Sequence, residues 1–265
     1  MIGEGSFSRV YAAGRAVEKR TAMRGFDLAE VVIRDGLVSP KVNGLSLGWG
    51  MTASLGVHRM KRGGAVRWSV RAFVDLCLQV YELHVRGLVH NDIKPSNIVW
   101  CDGPKLIDFG ATRYVRRAPV TEEVSLWYRS PELCTGSHYD LRSDIWSLGC
   151  LYYEVMHGAP LFPCDTVYAL CRLHAHYEPD GFLRHLLCPV HERWSIVEVL
   201  GYFGVRVGPL RSPLPLRALV AYFREQLPDH GDARRASEMV ARVMWGEDVE
   251  VESALVKYMV KLHLP

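Results

Sequence analysis

The sequence predicts an α+β chain in which a small β-rich lobe precedes a larger helical one. Three observations carry this expectation. The first 60 residues are glycine-rich with short β-branched patches. From about Trp68 the apolar residues change to a 3.6-residue spacing. After Pro131 the pattern reads as mostly helical to the end.

In order along the chain, "RVYAA", "RAVEK", "KVNGL" and "MTASLGV" read as short strands joined by tight turns, with "FDLAEVVIRDG" the helix-like segment among them. "VHRMKRGGAVRW" has the composition of a linker between the lobes. "WSVRAFVDLCLQVYELHVRG" reads as an amphipathic helix stopped at Gly87. "NIVW" and "PKLIDFG" read as strands about the turn "CDG". The expected boundaries are about 1–60 for the small lobe, 61–200 for the large one, and 201–265 for a helical C-terminal extension.

At 265 residues, 49% hydrophobic and 23% charged, the chain has the composition of a globular protein and length enough for two lobes. A formal charge of +3 is too small to point to nucleic acid. Seven cysteines, with no CxxC pair and no zinc spacing, suit a reducing compartment and thiols used as small apolar side chains. The apolar run "IWSLGCLYYEVM" is closed off by Asp144 and interrupted by Glu154, which suits a buried helix better than a membrane span. "MIGEGSFSRV" has no signal-peptide pattern, so the expected setting is intracellular.

The chemistry concentrates in "VHNDIKPSNIVW", where Asp92, Lys94 and Asn97 follow His90 and Pro95 fixes the turn. These groups could handle a hydroxyl proton, a phosphate and a metal ion; taken alone they could equally be a solvated ion pair. "IDFG" places Asp108 at a strand end 16 residues after Asp92. A carboxylate there has a rigid backbone and oxygens free for Mg²⁺.

Together, "HNDIKPSN" and "IDFG" resemble the catalytic loop and metal-binding segment of the eukaryotic-type protein kinases. Further motifs follow in that family's order. "IGEGSF" with Val10 resembles the glycine-rich loop: Gly3 and Gly5 would admit phosphates to backbone amides, Val10 would cover the adenine, and Ser8 stands at the third glycine. Lys19 in "AVEK" matches the phosphate-gripping lysine, although it follows Val10 by only nine residues, which makes "AAGRA" a minimal hairpin. Glu30 fits the helix carboxylate that partners this lysine, with Pro40 ten residues on; Arg34 departs from the family's apolar residue one turn later. "SLWYRSPEL" and "SDIWSLGC" resemble the P+1 loop, the "APE" segment and the helix anchoring the catalytic loop. Glu132 is expected to pair with Arg193, and Asp144 to accept backbone hydrogen bonds from the catalytic loop.

The resemblance implies a bilobal protein-kinase-like fold and ATP-dependent transfer of the γ-phosphoryl group to serine or threonine hydroxyls of protein substrates, with Mg²⁺. Asp92 would orient the hydroxyl and accept its proton, Lys94 would neutralise the γ-phosphate, and Asn97 and Asp108 would hold the metal. Gly3, Gly5, Val10, Lys19 and Glu30 would bind the nucleotide. Lys94 and Ser125 fit the serine/threonine class. The stretch "EVSLWYRSPE", with Arg129, is similar to the P+1 loop of cyclin-dependent and mitogen-activated kinases, where the arginine favours proline after the phosphoacceptor. The rival readings are a pseudokinase scaffold that binds partner proteins without catalysis, and a small-molecule phosphotransferase of the same fold.

Asn91 departs from the arginine of kinases switched by activation-loop phosphorylation. Thr121 is the phosphosite candidate, flanked by Glu122 and Glu123, with Arg113, Arg116 and Arg117 expected to face solvent. The expectation is a loop held by local contacts, with control through abundance, a regulatory partner or the C-terminal segment. Short hairpins and the absence of an N-terminal extension suit a streamlined kinase of the kind carried by large DNA viruses. Neither nucleic acid nor a membrane is an expected partner.

Overall fold

The structure, a computed structural model, describes residues 3–4, 8–22, 46–51, 55–115, 125–136 and 140–210. Five antiparallel strands, β1 (Gly3–Glu4), β2 (Ser8–Ala13), β3 (Ala16–Ala22), β4 (Ser46–Met51) and β5 (Leu55–Lys61), form one sheet in the order β1-β2-β3-β5-β4. The β2–β3 hairpin is as short as a hairpin can be. Ala13 pairs with Ala16, leaving Gly14 and Arg15 as the loop. Gly14 has φ 65°, the left-handed value that a two-residue loop needs at its first position to match the strand twist. This register sets Lys19 opposite Val10 and sends Lys19 and Arg20 to opposite faces of the sheet.

Two strand expectations need correction. "MTASLGV" is not a strand of its own: Met51 ends β4 and Leu55 begins β5. "VHRMK" is not linker, because β5 pairs with β3 along its whole length, with Arg59 opposite Glu18. Its cationic composition imitates a linker, yet one of those cations faces a carboxylate position across the ladder. The true connection, residues 62–69, docks on the large lobe. Gly64 and Trp100 exchange both backbone hydrogen bonds at 2.9 Å. A Cβ on Gly63 would stand 2.6 Å from the Val99 Cβ, so only glycine permits this approach. "KVNGL" and "FDLAEVVIRDG" lie outside the described residues.

The large lobe begins with α1 (Val70–His84), whose Ser69 N-cap accepts a hydrogen bond from the Ala72 amide at 3.1 Å. Gly87, at φ 75°, turns the chain out of it. Short strands β6 (Leu88–Val89), β7 (Ile98–Trp100), β8 (Pro104–Leu106) and β9 (Arg113–Tyr114) pair as β6–β9 and β7–β8. The helices α2 (Pro131–Cys134), α3 (Arg142–His157), α4 (Val167–His176) and α5 (Ile196–Tyr202) follow. Phe73, Leu76, Leu83, Ile145, Leu148 and Leu200 belong to one core that α1, α3 and α5 share.

"IWSLGCLYYEVM" lies in α3, buried as far as Leu151. All seven cysteines are free. Cys77 and Cys150 are wholly buried, and burial pushes both thiols far up. No helix among the described residues is long and apolar enough to cross a membrane. The expected helical extension does not start at 201. Gly204 at φ 76° ends α5 in a Schellman motif, with Val205 N–H donating to Leu200 O and Gly204 N–H to Gly201 O. Residues 205–210 carry no helix, and 211–265 lie outside the described residues.

Arg193 is the largest fully buried side chain among the described residues, and each of its five N–H groups has an acceptor. Nη1 reaches Glu132 Oε1 at 2.6 Å and Arg142 O at 2.8 Å; Nη2 reaches Glu132 Oε2 at 3.1 Å and Cys188 O at 3.0 Å; Nε reaches Cys188 O at 3.1 Å. The guanidinium also lies 5.0 Å from the Trp146 ring centroid. Glu132 at α2 is thereby fixed to the body of the lobe.

Losing one partner strands the other charge in the core. Glu132→Ala or Arg193→Ala should therefore cost about 3–5 kcal/mol in urea unfolding. Burial pushes the Glu132 carboxyl up, but hydrogen bonding and charge from Arg193 more than reverse this and hold it below its ordinary value. A depressed folded pKa gives stability that is complete above the unfolded value, about 4.3, and lost as pH falls through the folded one. Glu132→Gln should flatten the acid limb of the stability profile below about pH 4. An unchanged limb would show that Glu132 does not govern it.

Candidate active site

Asp144, in the first turn of α3, has no exposed surface and three described hydrogen-bond partners. Oδ2 accepts from the His90 amide at 2.8 Å and contacts His84 Nε2 at 3.0 Å; Oδ1 accepts from the Asn91 amide at 2.9 Å. Binding two successive amides forces a tight turn, and Asn91 adopts φ 68°, a left-handed value that asparagine tolerates. The turn delivers Asp92. Its amide donates to His90 Nδ1 at 3.2 Å, which assigns the ring proton of neutral His90 to Nε2. Burial lowers the His90 pKa against the upward pull of Asp144, Asp92 and Asp108.

The Asp92 carboxylate is held on several sides. Oδ2 lies 2.8 Å from Lys94 Nζ and accepts from Asn97 Nδ2 at 2.7 Å; Oδ1 accepts from the Ser125 amide at 3.2 Å. Lys94 Nζ also donates to Ser125 Oγ at 2.5 Å. Pro95–Asn97 form one 3-10 turn, and Asn97 Nδ2 donates again to Asp92 O at 2.8 Å. Both described donations of the Asn97 amide nitrogen thus go to Asp92, which leaves its oxygen able to serve as a ligand atom.

Asp108 comes from the β7–β8 hairpin. Gln79, buried on α1, donates to Pro104 O at 2.8 Å and accepts from the Leu106 amide at 3.0 Å. The Ile107 amide reaches Asn97 O at 2.9 Å, which ties the two motifs together. Asp108 sits at φ 62° with its side chain half exposed, and Lys19 Nζ reaches Oδ1 at 3.2 Å from the small lobe. Burial pushes its carboxyl up, but the Lys19 charge and hydrogen bond hold it below the ordinary value.

The structure therefore brings Lys19, Asp92, Lys94, Asn97 and Asp108 together. Gly3 lies opposite Val10 in the β1–β2 ladder. Arg20 points away and pairs with Glu18 at 2.8 Å. Gly5, Glu30, Thr121, Glu122, Glu123, Arg116 and Arg117 lie outside the described residues. One expectation is overturned: Arg113 does not face solvent but is 3% exposed, its Nη1 donating to Gly110 O and Thr112 O. It stands in β9 opposite Val89, where pairing draws the side chain inward. Sequence reasoning missed Gln79 and His84. Their signal was present as two polar residues on the apolar stripe of α1, where burial requires hydrogen-bond partners.

Asp108 and Asn97 offer hard oxygens, which suit Mg²⁺. Among the described residues no group of three His, Cys, Asp or Glu side chains could form a metal cage. Two oxygen donors of this kind suit an ion that would take its remaining ligands from phosphate oxygens and water.

Residues 62–178 match the profile of the protein kinase domain. Over this stretch the chain is similar to eukaryotic-type protein kinase domains. It is similar to a probable serine/threonine-protein kinase KIN28 homolog of Encephalitozoon cuniculi, 37% identical over 138 residues, covering 51% of this chain and 42% of the relative. It is also similar to a probable cell division protein kinase of the same organism, 51% identical over 98 residues, covering 35% and 37%. A putative cyclin-dependent kinase F-2 of Oryza sativa subsp. japonica is 47% identical over 92 residues, covering 32% and 28%. The matched stretch spans less than half the length of each relative.

The turn at 90–91 depends on both Asp144 oxygens. In Asp144→Asn an amide NH₂ replaces one of them, so a buried backbone N–H loses its acceptor. A loss of about 1–3 kcal/mol in urea unfolding is expected. Stability within 0.5 kcal/mol of the unaltered chain, about the scatter of surface substitutions, would show that the turn stands without it.

Proposed function

We propose that the chain is an ATP-dependent protein kinase that transfers the γ-phosphoryl group to serine and threonine hydroxyls of protein substrates. The observation that carries this reading is the Asp92–Lys94 pair at 2.8 Å, with both residues bonded to Ser125. In this reading Asp92 orients the incoming hydroxyl and accepts its proton. The hydroxyl oxygen bonds to the γ-phosphorus as the bond to the β-phosphate oxygen breaks, and ADP leaves. Lys94 neutralises charge on the phosphoryl oxygens. Lys19 carries a positive charge from the small lobe to the phosphates. Asn97 and Asp108 hold Mg²⁺, which when bound supplies further neutralisation. The transition state is loose, so placement of charge contributes most of the catalysis.

Asp92→Asn and Asp108→Ala should each reduce phosphoryl transfer to a generic protein substrate by at least about a hundredfold, and Asp108→Ala should also weaken Mg·ATP binding. Transfer within tenfold of the unaltered chain in either variant would refute the mechanism. Lys19→Met should behave like Asp108→Ala. Arg20→Met, on the other face, should leave transfer intact.

The substrate preference we infer is for serine or threonine followed by proline. Arg129, directly after Trp127 and Tyr128, is buried, in keeping with a structural role beneath the P+1 pocket. A peptide library without enrichment for proline after the phosphoacceptor would remove this preference. Activity is further inferred not to depend on a phosphate at Thr121, so that phosphatase-treated enzyme and Thr121→Ala keep most of it. A tenfold fall in both would overturn that inference. Seven free thiols suit action inside the cell, in cytoplasm or nucleus.

A further inference from the structure

The turn that follows Asp108 can be accounted for carbonyl by carbonyl. Phe109 O accepts from the Thr112 amide at 3.0 Å. Gly110 O and Thr112 O accept from Arg113 Nη1 at 2.8 and 2.9 Å. Ala111 O accepts from Asn91 Nδ2 at 3.0 Å. Three of these four bonds come from donors within the turn or next to it in sequence. The fourth comes from the catalytic loop, 20 residues away.

Asn91 is suited to that task on three counts. Its backbone has φ 68°, which asparagine tolerates and most side chains do not. Its amide is held by Asp144 Oδ1 at 2.9 Å, so the residue is fixed at its base. Its side chain is 5% exposed, and its Oδ1 has no hydrogen-bond partner among the described residues. The bond to Ala111 is thus the polar anchor of the side chain. Flipping the amide would set Oδ1 against Ala111 O, two acceptors face to face.

We propose that Asn91 is a positioning residue whose side-chain amide clasps the turn after Asp108 to the loop that carries Asp92. Asn91 precedes Asp92 directly, and Ala111 follows Asp108 by three residues. One short, neutral side chain therefore sets the separation of the carboxylate that handles the hydroxyl from the one that holds the metal. This rests on the kinase reading of the site, since that reaction needs both carboxylates in register at once.

The experiment compares Asn91→Gly and Asn91→Asp with the unaltered chain. Glycine keeps the left-handed backbone and removes the donor. Aspartate keeps size and backbone tolerance but presents an acceptor to Ala111 O, so either variant carries the test if the other fails to fold. Steady-state phosphorylation should show kcat lowered by about 10–100-fold, with KM for ATP and for protein substrate within about threefold. Hydrogen exchange should show the Thr112 amide exchanging at least about tenfold faster while the amides of α1 are unchanged. Either kcat within twofold, or protection lost equally across α1, would overturn the clasp. If the unaltered chain transfers no phosphate, the kinase reading fails, and the Thr112 exchange rate in the variants still decides whether Asn91 holds the turn.

Discussion

The site depends on one buried charge. Asp144 is removed from water by α3, and an uncompensated carboxylate there would be untenable. Two backbone amides and the edge of His84 make it stable, and the first turn of a helix favours negative charge. The reciprocal effect matters for function. Because the carboxylate must have those amides, the chain at His90 and Asn91 has one available path, and Asp92 emerges from it in a fixed direction. Ile145, Leu148 and Leu151 root α3 in the core, so the position of the reactive carboxylate is referred back to the packing of the whole lobe.

The same device recurs wherever a loop of this lobe must be held without regular structure. Arg193 saturates its five donors on Glu132 and three carbonyl bonds, and so holds α2 to the body of the lobe. Gln79 reaches from α1 to the β7–β8 hairpin in the same manner. In each case a buried polar side chain supplies what a short loop lacks, Asp144 and Gln79 from helices and Arg193 from the bend before α5. Such groups specify geometry more than they add stability, because a buried polar group with unmatched partners is worse than none. An alternative loop path would leave them unmatched.

This division explains what was legible in the sequence. Residues whose chemistry and local order both signal a role, such as Asp92, Lys94, Asn97 and Asp108, stood out together, and so did Asp144 and the Glu132–Arg193 pair. The helix over Val70–His84 and the hairpin about "CDG" followed from periodicity and turn chemistry. β5 was hidden because its cations give it a linker's composition, and only its register against β3 shows one of them opposite Glu18. Arg113 was misplaced for a related reason: an arginine between exposed-looking neighbours reads as solvated until pairing with Val89 draws it inward. Gln79 and His84 escaped notice because their partners lie 25 and 60 residues away, beyond the reach of any local pattern.

The small lobe shows how a hairpin can shrink without disturbing a site. In an antiparallel ladder, Val10 and Lys19 stay opposite each other whatever the length of the loop end, provided that residues are lost in pairs, one from each strand. Loss of an odd number would move Lys19 to the other face and put Arg20 in its place. The compact β2–β3 hairpin has kept this parity. Lys19 faces Asp108 at 3.2 Å, and Arg20 lies against Tyr11 and Glu18. The docked linker acts in concert, because Gly63 and Gly64 fix where β5, and through it β3, leaves the large lobe. A point charge on a flexible stem tolerates small errors in that placement, which a rigid bidentate group would not. A lysine at this position is thus compatible with a shortened sheet whose strands were free to lose length but not parity.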